Sequence, residues 1–234
     1  MERVAAQSTA SAVAHVLREE ILSRQDGDLY LGQEDELLAR FGVSRPSLRQ
    51  AVRLLQAEGI LTVRRGHHGG LYGQRPDAAG VAHVASVFLR TRRASLADIS
   101  ATYTLITTEC ARLAALNPDE AERRRLLTFV EQAVGGNQRD HARARAQWGI
   151  LLAELARSPT LQLFEDVLGS LSRYPTSRPL LLDPDSIALA CEQWRQVAEA
   201  VGDGDADTAA ALSREHGDAR VRYIRDLPED LLGW

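Results

Sequence analysis

Apolar side chains recur along this chain at the 3.6-residue spacing of helices, interrupted once by a short β-prone stretch. Val13, Val16, Leu17 and Ile21 fall at i, i+3, i+4 and i+8, which predicts a helix over residues 11–24 with those side chains turned inward. A second helix is predicted over 33–41, with Leu37, Leu38 and Phe41 inward and Gly42 at the C′ position that suits glycine. Gly42-Val43-Ser44 leaves room only for a sharp corner. Ser44 is a good N-cap and Pro46 is tolerated in a first turn, so a third helix follows through Ala51, Val52, Leu54 and Leu55 to Glu58 and stops at Gly59. Ile60 to Arg64 is β-prone, Gly66 to Gly70 turns and Leu71-Tyr72 returns, which predicts a small hairpin.

Gln74-Arg75-Pro76-Asp77 is a short break, and beyond it the period is helical throughout. Helices are predicted over 77–92, with Val81, Val84, Ala85 and Phe88 inward, and over 96–116, capped by Ser95 and carrying Ile99, Tyr103, Ile106, Cys110 and Leu113. Asn117-Pro118 restarts a helix to Val134, which Gly135-Gly136 ends. Others follow over 141–157, 161–172, 185–201 and 205–224, with a loop over 173–184 holding Pro175, Pro179 and Pro184. The predicted fold is mainly α. Residues 1–75 form a winged helix-turn-helix with a small β-hairpin, and residues 76–234 an antiparallel helical bundle of six or seven helices.

Composition narrows the chemistry. The 234 residues are 44% apolar and only 5% aromatic, a mixture dominated by Ala, Leu and Val that favours helix. Every one of the 28 basic residues is arginine, which excludes a lysine Schiff base and a P-loop lysine. Cys110 and Cys191 are too few for a disulfide scaffold or a thiolate zinc site, and among apolar helical neighbours they read as small core residues. No long apolar run and no signal-peptide stretch is present, so a cytoplasmic location is expected.

Charge along the chain points to a partner. Residues 1–39 carry a net −5, residues 40–75 a net +6 and residues 76–234 a net −5. A compact basic block in an acidic protein suggests an anion met at one place. In a helix-turn-helix the second helix enters the major groove with its N-terminal residues at the base edges. Those residues are Ser44, Arg45, Ser47 and Arg49, with Gln50 and Arg53 one turn further. Arginine pairs bidentately with guanine, whereas serine hydroxyls and a helix N-terminus suit phosphate. At the hairpin tip, Arg64, Arg65 and His67 stand beside glycines that permit close backbone approach, as a narrow minor groove requires.

Residues 31–51 (LGQEDELLARFGVSRPSLRQA), residues 54–61 (LLQAEGIL) and the glycine-rich wing resemble the GntR family of bacterial transcription regulators. The resemblance covers about residues 10–75 and implies a homodimer on a pseudo-palindromic operator of double-stranded DNA. It makes Arg45 and Arg49 base or phosphate contacts and places His67 at the wing. Asp35 departs from it, standing where some members place a DNA-contacting arginine. Residues 109–115 (ECARLAA), 148–159 (WGILLAELARSP) and the stretch from Ala198 to His216 resemble the effector-binding domain of the FadR subfamily.

Many members of that subfamily hold a divalent metal with one Asp and three His. Carried over position by position, the resemblance places Arg145, Gly149, Trp194 and His216 there. One imidazole cannot make up such a site, so no metal and no cofactor are expected. His141 is read as a surface residue and His216 as hydrogen-bonded near a cavity. A cavity ringed by Tyr103, Thr107, Glu109, Arg145, Trp148, Trp194 and His216 would be apolar with a few polar groups, as small-molecule pockets are. Arg145 could bind an effector carboxylate there. An acyl-CoA is the other ligand class, and tryptophans that simply fill the cavity are the third outcome. The expected function is a ligand-responsive DNA-binding regulator, usually a repressor. The alternative is an effector-independent dimer whose helical half only dimerises. An enzyme is not expected, since no nucleophile–base pair, carboxylate dyad or cofactor loop is recognisable.

Overall fold

The computed structural model describes residues 8–24, 29–66, 69–133, 138–173 and 184–227. The chain divides into two compact units, Met1–Gly80 and Val81–Trp234. Among the described residues no helix is long and apolar enough to cross a membrane.

The first unit runs α1 (Thr9–Ser23), β1 (Leu29–Gly32), α2 (Glu34–Phe41), α3 (Arg45–Ala57), β2 (Leu61–Arg64) and β3 (Gly70–Gly73). Ser8 caps α1 by accepting from the Ser11 N–H at 3.2 Å. The buried face of α1 is Ala10, Val13, Ala14, Leu17 and Ile21. Val16, expected inward, is exposed. At about 100° per residue it falls beyond the edge of the arc those five define. Gln33 and Glu36 form a capping box at the start of α2, the Glu36 carboxylate accepting from the Gln33 N–H at 2.8 Å. Gly42 adopts φ 62°, and its N–H donates to the Leu38 carbonyl at 2.9 Å. That left-handed residue makes the corner, and the Ser44 cap then launches α3. Leu48, Ala51 and Leu55 of α3 pack on Val13, Leu17 and Leu37 in one core.

The expected hairpin is a three-stranded antiparallel sheet in the order β1-β3-β2. Tyr72 is paired with Tyr30 on one side and Thr62 on the other. The extra strand escaped the periodicity because Leu29–Gly32 is only four residues long. At Gly73 a Cβ would lie 2.7 Å from Ile21 Cγ1, so glycine there lets β3 sit directly on α1.

In the second unit α5 (Leu96–Ala115), α6 (Glu120–Ala133), α7 (Gln138–Leu155), α8 (Pro159–Arg173), α9 (Pro184–Asp203) and α10 (Ala206–Arg225) form a bundle. Central α5 packs against α7, α8, α9 and α10. Ser95 and Asp205 cap α5 and α10. Asn117 is buried after α5, where its amide donates to the Leu155 carbonyl at 3.0 Å and its carbonyl accepts from the Asp119 N–H. Small residues bring the helices close. A Cβ on Gly217 of α10 would lie 2.3 Å from Thr104 Cγ2.

The preceding helix α4 (Ala78–Thr91) departs from expectation. Val81, Val84 and Phe88 were expected inward, yet Val84 is 67% and Phe88 57% exposed, and only Ala82 is buried. The amphipathic pattern is real, but among the described residues nothing covers that face. Most of the proline-bearing loop expected over 173–184 lies outside the described residues.

Candidate nucleic-acid interface and the interior of the helical unit

Burying Leu48, Ala51 and Leu55 turns the opposite side of α3 outward. There Arg45, Pro46, Arg49, Gln50 and Arg53 line an open depression of about 520 Å³. The Ser44 hydroxyl accepts from the Ser47 N–H at 3.4 Å and lies 2.9 Å from the Ser47 hydroxyl, so these serines shape the helix start. Arg64 stands with its guanidinium carbon 4.2 Å from the Tyr72 ring centroid, a cation–π contact at the base of the wing. Arg65 is exposed at the end of β2, and His67 lies outside the described residues. The helix spacing thus brings Arg45, Arg49, Gln50 and Arg53 onto one surface, as expected. Sequence reasoning missed the acids that meet them. Arg45 is 2.8 Å from Asp35 and 3.9 Å from Glu34, and Arg49 is 3.1 Å from Glu34.

Inside the helical unit the expected ring of residues comes together only in part. Trp148 and Trp194 stack with centroids 5.6 Å apart, and His141 stacks on Trp194 at 5.1 Å. His141, expected at the surface, is buried, because α7 begins at Gln138 and carries it onto the inner face. Among the described residues its Nδ1 finds no hydrogen-bond partner. Glu109 does not line this interior but pairs with Arg112 on the surface of α5, 2.7 Å away. The Arg112 guanidinium holds the Glu109 carboxyl below the usual carboxylate range. The Thr107 hydroxyl is returned to its own helix, donating to the Tyr103 carbonyl at 3.1 Å. His216 is half-buried.

The residue sequence reasoning missed is Glu165 of α8, 1% exposed. Its carboxylate accepts from the Tyr103 hydroxyl at 2.7 Å. Burial and this carboxylate push the Tyr103 phenol up, opposed by the positive charges of Arg145 and Arg220. Burial, and after it Glu165, pushes the Cys110 thiol up to about 12, which keeps it an unreactive core residue. The space Glu165 occupies exists because position 149 is glycine. A Cβ there would lie 1.9 Å from Glu165 Oε1 and 2.6 Å from the Tyr103 hydroxyl.

Residues 9–68 match the bacterial regulatory proteins of the gntR family, and residues 98–219 match the FCD domain. The chain belongs to the GntR family, in its FCD-bearing, FadR-like group. It is thus a DNA-binding transcription regulator with an effector-binding FCD domain, and not an enzyme. A protein of Escherichia coli (strain K12) described as a candidate L-lactate dehydrogenase operon regulatory protein is 28% identical, over 82% of this chain and 76% of its own length. One from Shigella flexneri with the same description matches equally. A solved structure of a Streptococcus agalactiae GntR protein, 21% identical, covers 91% of this chain and 99% of that one at a TM-score of 0.71, so the fold is shared.

The divalent metal that the FadR resemblance raises does not fit the residues this GntR regulator presents. Among the described residues no three His, Cys, Asp or Glu side chains converge. At the positions in question stand a cation (Arg145), an indole (Trp194) and a glycine whose space the Glu165 carboxylate fills.

Burial and the nearby Arg145 charge hold His141 below the usual imidazole range, and burial does the same for His216 against Glu215. Folded pKa values below the unfolded one mean that the unfolded chain binds these protons preferentially. The contribution of these two histidines to the stability of the FCD unit is therefore full above about pH 6.5, the ordinary imidazole value, and declines as the pH falls below it. Urea unfolding at pH 8, 7, 6 and 5 should show that decline, and His141→Gln should make it shallower.

Proposed function

We propose that this regulator is a repressor that binds a pseudo-palindromic operator as a homodimer through α3 and the wing, and that a small carboxylate effector in the FCD unit weakens that binding without a bound metal. The outward row of Arg45, Arg49, Gln50 and Arg53 on a capped helix carries the operator reading. The uncovered apolar face of α4 at Val81, Val84 and Phe88 supports a second copy.

The buried Nδ1 of His141 supports the effector reading. Buried polar atoms in folded proteins almost always have a partner, and this one lies against the Trp194 ring and near Arg145. A carboxylate entering there meets a cation, an imidazole and an aromatic wall. The packed tryptophan pair favours a compact acid over a long acyl chain. The Escherichia coli relative described for the L-lactate dehydrogenase operon makes 2-hydroxy acids the first to try. Such an acid regulates only if it binds the DNA-competent and DNA-incompetent states differently.

Thermal unfolding of the full chain with L-lactate, other 2-hydroxy acids, dicarboxylates and an acyl-CoA tests this. A ligand at 100 times its Kd stabilises by about 2.7 kcal/mol, and that same acid should weaken operator binding. Arg145→Met should abolish both effects. If no acid shifts either, the chain is the effector-independent dimer. Stabilisation by the acyl-CoA alone would overturn the compact-acid reading.

A further inference from the structure

The first turn of α2 carries Glu34, Asp35 and Glu36. Acids are favoured at a helix N-terminus, and Glu36 is used up in the capping box. Glu34 and Asp35 instead reach the recognition helix. Asp35 Oδ1 accepts from Arg45 at 2.8 Å, and Glu34 Oε1 accepts from Arg49 Nε at 3.1 Å. The arginines remain open to a partner, their side chains 59% and 64% exposed, and Asp35 is exposed beside them.

We infer that Glu34 and Asp35 determine DNA specificity, acting as positioning residues that hold Arg45 and Arg49 for base contact while lowering their attraction for phosphate. The inference rests on α3 docking in the major groove as proposed above. Magnitude decides between this role and an off-switch. Exposed ion pairs are worth about 0–1 kcal/mol, far too little to lock two arginines away from an operator. They are strong enough to bias side-chain geometry.

A guanidinium has five donors in a fixed fork. One edge can rest on the carboxylate while another faces guanine O6 and N7, the bidentate contact that carries discrimination. Non-specific binding has no such return. It is essentially phosphate electrostatics, so two carboxylates on the docking face reduce it in full. Specific binding recovers part of that loss because the arginine rotamers are already ordered.

The test uses the full chain, the duplex it enriches from a randomised pool, and a scrambled duplex of equal length. Glu34→Gln, Asp35→Asn and the double variant are compared with Glu131→Gln, which removes one exposed acid from α6 in the other unit. Melting curves establish that each variant is folded. The double variant should bind the scrambled duplex about tenfold more tightly, with a steeper salt dependence, as two fewer repulsive charges per protomer imply. Its operator affinity should change by less than about threefold, so the specificity ratio falls, while Glu131→Gln leaves the ratio unchanged. Equal changes on both duplexes, no change on either, or an equal effect of Glu131→Gln would overturn the inference. Failure of the wild-type chain to enrich any duplex would instead strike the docking itself.

Discussion

Gly149→Ala should destabilise the FCD unit by about 3 kcal/mol or more, the upper range for overpacking a filled core. A β-carbon there would sit 1.9 Å from Glu165 Oε1 and 2.6 Å from the Tyr103 hydroxyl. The colliding atom is the tip of a side chain, which at a surface would swing aside. Glu165 has no such freedom, because it is 1% exposed and tied to Tyr103 at 2.7 Å. Moving it breaks that buried hydrogen bond and leaves the Tyr103 hydroxyl without its acceptor, which costs about 1–3 kcal/mol on top of the strain. Glu165→Ala alone should also destabilise, since it strands the Tyr103 hydroxyl. The pair should be non-additive, because Gly149→Ala/Glu165→Ala removes the closer clash and leaves only the approach to the Tyr103 hydroxyl. Urea unfolding of the four proteins gives the coupling directly. A neutral Gly149→Ala would show that Glu165 is not packed as described.

Replacing Arg45 and Arg49 together should lower operator affinity by at least about a hundredfold, since each arginine that reads a base contributes about 1–3 kcal/mol. They project from one face of α3, four residues apart, with Gln50 and Arg53 beside them. Single variants separate the roles. An arginine that reads guanine relaxes preference at one base pair in each half-site. One that touches only phosphate weakens all sequences alike and lowers the salt slope by about one. Gel shifts against the enriched duplex and its point variants, at two salt concentrations, distinguish these outcomes.

The DNA-binding half was legible because its signals are local. Ser44, Pro46, Gly42 and Gly59 mark helix ends through their own backbone preferences, and the caps lie where those residues predict. Non-local features were not legible. Glu165 sits on a core face, where a carboxylate contradicts the apolar pattern, and only the missing side chain at Gly149, on a different helix, makes room for it. The sequence reads His141 as exposed because a helix beginning at 141 would hold it in the first turn, whereas α7 begins at Gln138. The ion pairs of Glu34 and Asp35 depend on how α2 and α3 cross, which no spacing reveals. The stripe on α4 shows the converse, since periodicity marks an apolar face without saying what covers it.

Selection from a randomised duplex pool by the full chain, at physiological salt, bears most directly on the claim that α3 reads DNA. Enrichment of one two-fold symmetric sequence with guanine in each half-site, lost in the Arg45→Ala/Arg49→Ala protein, is the predicted result. A pool left unenriched, or one enriched equally by both proteins, would contradict it.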